Sequence, residues 1–297
     1  MDRFESMSVF VAVVSAGSFS AASRQLRMPL PTVSRKVSEL ESHLKARLLV
    51  RSTRKLVLTE VGESYVTDCR RILAEVAEAD RGASGEYNAP QGELVVTAPV
   101  VFGRLHVLPV TAEFLAAYPQ VDVRLALADR PLSLIDEHLD LAVRIGAVPD
   151  SRLVALRVGQ IRSVVCASPE YLSEHGIPKS PADLFKHHCV TFAGLPGAES
   201  WTFRTEHVRV YSRLVVNTAE AAIDGAIAGV GFTRVLSYQI ATAVKAGTLA
   251  IVLRKFEPAP LPVSLIYLQE TRLTAKLRAF VDFAAPRLRA RLSHAPT

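Results

Sequence analysis

Residues Gly17 to Lys55 read GSFSAASRQLRMPLPTVSRKVSELESHLKARLLVRSTRK, and this stretch decides the fold. It holds a short Ala-rich helix, a turn broken by Pro29 and Pro31, and a second helix with apolar residues at Val33, Val37, Leu40 and Leu44. Those four positions recur at helical spacing, so they form one buried stripe. The opposite face carries Thr32, Arg35, Lys36 and Glu39. Two short helices joined by a tight turn, the second one basic near its start, form the pattern of a DNA-binding helix-turn-helix. Arg24 to Lys55 contains nine basic residues against Glu39 and Glu41, a balance of +7, whereas Leu56 to Tyr87 has three basic against seven acidic residues, or −4. Positive charge is thus concentrated where a phosphate backbone would be met.

The flanks extend this pattern. Phe4, Met7, Phe10, Val11 and Val14 mark an amphipathic first helix that stops at Gly17, a residue suited to the left-handed end of a helix. Ser18 is placed to cap the next helix. After Leu48-Leu49, the basic run Arg51-Ser52-Thr53-Arg54-Lys55 leads into the alternating Leu56-Val57-Leu58-Thr59, as a wing requires. Thr32, Ser34 and Arg35 are the candidates for base-edge or adjacent phosphate contacts. Lys36, Arg51, Arg54 and Lys55 are the candidates for phosphate or wing contacts.

Thr59 is placed to cap a long helix running to about Tyr87. Within it Tyr65, Cys69, Ile72, Val76, Ala79 and Ala83 follow a heptad seam. A helix of that length is not stable alone, so the seam must pack on something. A second copy of the chain is the favoured partner, which makes Tyr65, Cys69, Ile72, Val76 and Ala79 dimerisation candidates. The competing reading folds the helix back on its own domain. Asn88 to Gly92 (NAPQG) reads as a turn-rich hinge.

Beyond it, strand-like runs at 93–98, 121–126, 140–145, 162–167, 214–217 and 262–267 alternate with helical runs at 102–118, 169–175, 181–187, 219–228, 237–246 and 272–289. Alternation of this kind predicts α/β layers with mostly parallel sheets. With 297 residues, about half of them apolar, two or three compact units are expected. A pI near 9.4 and a net charge of +6 suit a nucleic-acid partner. No targeting signal or membrane span is read in the sequence, and a cytoplasmic location is expected. Cys69, Cys166 and Cys189 are too few and too scattered for a disulfide framework, and His187-His188-Cys189 alone makes no metal site.

In open α/β sheets, ligands collect at the carboxyl ends of strands against helix starts. That rule selects Thr97, Pro99 and Val100 after the first such strand, Asp129 after the next, then Arg144 and Gly146. Thr218, Phe232 and Thr233 are further candidates, on the far side of the cleft that the family resemblance described below implies. Thr97 and Thr218 have the alternative role of capping helices, and Trp201 is read as core. Arg104, Arg130, Arg144 and Arg234 lie near these ends and favour an anionic or carboxylate effector. The elbow of serine hydrolases, the zinc-protease helix motif and the phosphate-binding loop are all absent from the sequence, so no enzyme and no cofactor are expected.

Taken together, SFSAASRQL, PTVSRKVSELESHL and RLLVRSTRKLVLTEVGE, followed by a long helix, closely resemble the N-terminal region of LysR-type transcriptional regulators. VTAPVVFG, DLAVRIG, VVCASPEYL and AGVGFTR resemble that family's effector domain. Many members place a Ser and a polar residue where this chain has Pro29 and Leu30, so here the helix start would rest on Pro31 and Thr32. The resemblance implies an all-α winged helix-turn-helix (1–58), a linker helix (59–87) and an α/β effector domain (88–297). That domain would comprise two Rossmann-like subdomains, as in periplasmic binding proteins, the first from 91–162 and 268–297 and the second from 163–267. The chain would cross between them near Ile161–Val164 and return near Leu265–Glu270, with the last helix on the first subdomain. The effector candidates above match positions lining the family's pocket, and a tetramer of two linker-helix dimers is implied. The expected partners are double-stranded DNA, further copies of the chain, a small organic effector and RNA polymerase. An effector-independent architectural DNA binder is the alternative, and an enzyme or solute-binding protein with an added helical domain is a third.

Overall fold

The computed structural model describes residues 2–51, 56–83, 89–130, 132–148, 152–192, 199–269 and 273–293. They form two compact units, 1–88 and 89–297.

In the first unit, α1 (Arg3–Ala16) is capped by Asp2 and ends at Gly17, whose φ of 69° is left-handed. Ser18 caps α2 (Phe19–Leu26) by accepting from the Ala21 N–H at 3.1 Å. The next helix, α3 (Leu30–Leu44), has Pro29 before it and no side-chain cap. The Pro29 carbonyl accepts from the N–H groups of both Thr32 and Val33, so the helix starts without help from the Thr32 side chain. Two short strands, β1 (Leu49–Arg51) and β2 (Leu56–Leu58), pair antiparallel as a wing. Thr59 then caps α4 (Glu60–Ala83), accepting from the Gly62 N–H at 3.0 Å. Phe10, Val13, Ala22, Val33, Val37, Leu40, Leu48, Val66 and Cys69 share one core. Phe4, read from the sequence as part of the buried face of α1, is exposed.

The second unit contains two mixed five-stranded sheets among the described residues. It begins with β3 (Gly92–Ala98), α5 (Val100–Phe102), a π-helical stretch Gly103–Val107 and α6 (Leu108–Ala117). The Val100–Ala117 run is apolar enough on average to cross a membrane, but Phe102, Val107, Val110 and Phe114 are buried in the protein core. β4 (Val121–Leu127), β5 (Leu141–Ile145) and β6 (Leu153–Ile161) follow. After the single residue Arg162, β7 (Ser163–Ala167) already belongs to the second sheet. The chain continues through α7 (Pro169–His175), a 3-10 helix Pro181–Lys186, β8 (His188–Phe192), β9 (Ser200–Thr202), β10 (His207–Arg209), β11 (Tyr211–Val216), α8 (Ala219–Ile227), β12 (Phe232–Leu236), a 3-10 turn Ser237–Gln239, α9 (Ala241–Lys245) and β13 (Ala250–Val252). It then returns as β14 (Leu261–Leu268) and ends in α10 (Ala275–Ser293).

The first sheet runs in the order β4-β3-β5-β14-β6 and the second β11-β8-β12-β7-β13. Each sheet is mostly parallel, as expected, with four strands running one way and a single strand against them. β14 is antiparallel to both β5 and β6, and β7 is antiparallel to both β12 and β13. A strand that arrives from the other sheet, not through a helical crossover, enters from the opposite end. The return crossing is corrected: it occupies 253–260, because all of β14 pairs in the first sheet, so the second subdomain ends before Leu261. β6, β9, β10 and β13 are among the strands outside the runs read in the sequence; the expected helix at 181–187 is a 3-10 helix, and that at 237–246 is a 3-10 turn followed by the short α9. α10 does pack on the first subdomain, with Phe280 edge-on to Phe114 at 5.0 Å.

The two crossings are tied together. Arg162 on the outward crossing donates through Nη1 to both carboxylate oxygens of Glu257 on the return, at 3.1 and 3.0 Å. With both side chains largely buried, removing one partner strands the other charge. Glu257→Gln is therefore expected to lower the stability of this unit by roughly 3 kcal/mol. A calorimetric melt indistinguishable from the native one would show that the pair carries no such weight.

Candidate nucleic-acid interface and ligand site

Burial on α3 sorts its polar residues. Val33, Val37 and Leu40 are fully buried, which leaves Arg35 on the outer face with its side chain 69% exposed. Its one ion pair, to Glu39 one turn on, is long at 3.8 Å. An exposed pair of that kind holds the guanidinium weakly, so Arg35 is available to a partner. Thr32 and Ser34 are half-buried beside it. Leu30, at the first position of the helix, is exposed.

Lys36 is a correction. Its side chain is only 15% exposed and its ammonium is paired with Glu5 of α1. It points toward the helix that supports α3 and ties the two helices together. Sequence reading missed Glu5, which lies 31 residues away and gives no local signal. Glu41 was also missed, having been counted only as charge. Its Oε1 accepts from the N–H groups of Leu48 and Leu49 at 2.8 and 3.1 Å, and so fixes the entrance to the wing. Arg51 ends β1, and its side chain lies outside the described residues, as do Arg54 and Lys55.

The dimerisation seam divides. Cys69 is fully buried in the unit's own core, with Tyr65 and Ile72 packed against that core and the Tyr65 ring 6.1 Å from that of Phe10. Assigning Cys69 to a dimer contact is therefore corrected, because α1 already covers it. Val76, further along, is half-buried, and the Ala79 side chain lies outside the described residues. Burial pushes the Cys69 thiol up to about 11 and those of Cys166 and Cys189 up to about 12, so none is poised as a thiolate.

In the second unit the expected ligand residues separate in the same way. Thr97, Pro99, Val100 and Asp129 do come together at the ends of β3 and β4. Their polar atoms are already partnered: Thr97 Oγ1 donates to the Ala126 carbonyl at 2.7 Å, and the Val100 N–H donates to Asp129 Oδ1 at 3.0 Å. A carboxylate of the protein itself thus occupies the position where an incoming anion was expected. Arg144 is half-buried and reaches the Leu132 carbonyl at 3.4 Å. Gly146 follows β5 with φ at 110°, and its N–H donates to the Pro262 carbonyl. Thr218 caps α8, accepting from the Ala221 N–H at 3.2 Å.

Phe232 and Thr233 are corrections. Both are fully buried at the start of β12, whereas the ligand-collecting end of that strand is Leu236. Phe232 is packed edge-on against Tyr171 at 5.4 Å, deep in the second core. The residue that does reach across is Tyr238, which follows β12 yet packs in the core of the first subdomain. Its ring lies edge-on to Phe102 at 5.5 Å and to His106 at 5.6 Å. Burial raises the Tyr238 phenol well above its ordinary value, and Asp129 and Glu220 add to the rise. Burial lowers His106, with Arg291 adding to the effect. Neither residue stood out in the sequence, since a lone aromatic after a strand carries no periodic signal.

A helix-turn-helix with a wing, joined to a two-sheet α/β unit crossed twice by the chain, defines a DNA-binding regulator with a ligand-type domain. The comparisons agree. A family model described as a bacterial regulatory helix-turn-helix protein of the lysR family matches residues 4–63, and one described as a LysR substrate binding domain matches 88–289. The HTH-type transcriptional activator AaeR of Escherichia coli strain K12 is 34% identical over 286 residues, covering 95% of this chain and 93% of the relative. CrgA, a LysR-type transcriptional regulator from Neisseria meningitidis, is 31% identical with a TM-score of 0.61, covering 96% of this chain and 98% of that one. The full-length Vibrio cholerae virulence activator AphB is 26% identical with a TM-score of 0.60, covering 94% and 97%. The chain belongs to the LysR family of transcriptional regulators, with an N-terminal helix-turn-helix and a C-terminal effector-binding domain.

Two neighbours on α3 are thereby assigned opposite outcomes. Arg35→Ala should relax sequence preference by about 1–3 kcal/mol while leaving the melt unchanged. Lys36→Ala should instead lower the melting midpoint of the DNA-binding unit. Gel shifts with cognate and scrambled duplexes, alongside melts, separate the two, and an Arg35→Ala protein with undiminished discrimination would remove α3 from the groove.

Proposed function

We propose that this regulator binds DNA sequence-specifically through α3 and the wing, and that a small organic effector held between its two α/β subdomains controls that binding. The observation that carries the first part is the division of α3 into a fully buried face and an outer face bearing Arg35, Ser34 and Thr32. Arg35 would read a guanine through its paired donors, and exposed Leu30 suits contact with a thymine methyl. Arg51, Arg54 and Lys55 would follow the phosphates. The second part is supported by the twice-crossed arrangement of the sheets, which lets each half move about Arg162 and Glu257. Thr97, Pro99, Val100, Asp129, Arg144, Gly146 and Thr218 would border the ligand, with Tyr238 at the base.

Self-association would use the part of α4 beyond its own core, from Val76 onward, and would present two recognition helices to two half-sites. A tetramer, a cytoplasmic location and recruitment of RNA polymerase complete the proposal. Val76→Glu is expected to shift the protein toward smaller species in sedimentation and to weaken specific DNA binding; an unchanged oligomer would place the contact elsewhere. For effector control, the test is DNA affinity across a panel of small acids, amides and sugars. If no compound changes affinity or footprint, the architectural alternative takes its place.

A further inference from the structure

Of the four arginines near the strand and helix ends, three have ordinary surroundings. Arg104 is exposed, Arg130 pairs with Glu137 at 3.1 Å, and Arg144 reaches a backbone carbonyl. Arg234 differs. It sits mid-strand on β12, half-buried, and its side chain makes no hydrogen bond or ion pair to any described residue. Its one neighbour of note is the ring of Trp201, whose centroid lies 5.8 Å from the guanidinium carbon. Trp201 is the only tryptophan in the chain and is itself buried.

Strand register shows what else shares that face. Phe232 pairs with Cys189 of β8, and both lie in the core beneath β9 and β10. Two residues further along each strand, Arg234 and Thr191 return to the same face. Thr191 is buried, with its hydroxyl 2.8 Å from that of Ser212 on the adjoining β11. A guanidinium and two hydroxyls therefore cross an otherwise apolar face, bordered by an indole. Across β7, the partner of Arg234 is Val165, which offers no charge.

A guanidinium carries five donors and keeps its proton at any working pH. Its burial here penalises the charged form and lowers its pKa from the ordinary value. Contact with an indole compensates such a charge in part, but it satisfies none of the donors in the guanidinium plane. What fits that plane is a carboxylate, which accepts two parallel hydrogen bonds.

We propose that Arg234, with the Thr191–Ser212 hydroxyl pair and Trp201 beside it, binds the carboxylate of a small organic acid in the second subdomain. This rests on the reading that the α/β domain takes a small effector, and it moves the anion away from the start of α5, where Asp129 already sits. Trp201 supplies its own reporter. The full-length protein is titrated with benzoate and with benzamide, two probes of one shape that differ in charge, by calorimetry and tryptophan emission. Benzoate is expected to saturate and to change Trp201 emission, with benzamide at least about tenfold weaker. Arg234→Gln, with its fold checked by circular dichroism, should weaken benzoate at least about tenfold, and Arg234→Lys should do so less. Should Arg234→Gln fail to fold, Thr191→Val removes only the adjoining hydroxyl and should still weaken benzoate severalfold. Equal affinity for the two probes, no benzoate binding at millimolar concentration, or native affinity in folded Arg234→Gln or Thr191→Val would each overturn the site and leave Arg234 a stacking partner of Trp201. DNA affinity measured in parallel separates this from effector control. Arg234-dependent benzoate binding that leaves DNA affinity unchanged upholds the subsite and rejects control through it. A benzoate effect on DNA that persists in Arg234→Gln rejects the subsite and upholds control.

Discussion

Val33, Val37 and Leu40 are withdrawn from water on the inner side of α3, and Phe10 and Val13 of α1 press on the same core. Burying three branched side chains is worth several kcal/mol, more than any surface contact of this small unit offers. It also fixes the rotation of α3 about its axis. Once that rotation is set, Arg35 must project outward and Lys36 must turn toward α1, where Glu5 meets it. The chemistry available to DNA is what the hydrophobic core leaves over.

The second unit depends on a different constraint, the connectivity of two sheets through two short crossings. Each sheet takes one strand from the far side, which is why both are mixed and why β14 lies inside the first sheet. Arg162 and Glu257 join the crossings with a largely buried ion pair. Tyr238 adds an aromatic contact of the second half with Phe102 and His106 of the first. Any opening of the halves would have to rearrange that cluster.

The helical face of α3, the stop at Gly17, the caps at Ser18 and Thr59 and the alternation of α/β elements were legible because each is a local pattern with a local physical cause. β6 was not legible. Its burial alternates irregularly, and it becomes a strand only because β14, more than a hundred residues later, lies beside it. The seam of α4 was legible as a seam, but its occupant was not: the spacing of Tyr65, Cys69 and Ile72 is the same whether α1 or a second copy covers it. Phe232 and Thr233 were misread because a glycine-rich turn marks a strand start and a ligand loop equally well, and only the direction of β12 tells them apart.

Three donors in the two units share one pattern. Lys36, Val100 at its helix start and Arg162 each meet a carboxylate of the chain itself, supplied by Glu5, Asp129 and Glu257. None of these pairings is visible in sequence, since the partners are 31, 29 and 95 residues apart. Groups satisfied internally are structural, and their loss leaves a stranded charge or an unpaired donor. Groups left over are the ones a partner can use. On α3, Arg35 is held only by a 3.8 Å pair to Glu39 and faces solvent; on β12, Arg234 lies half-buried against an indole. The first is exposed enough for a large polyanion. The second is half-buried, so the ligand proposed for it is a small one.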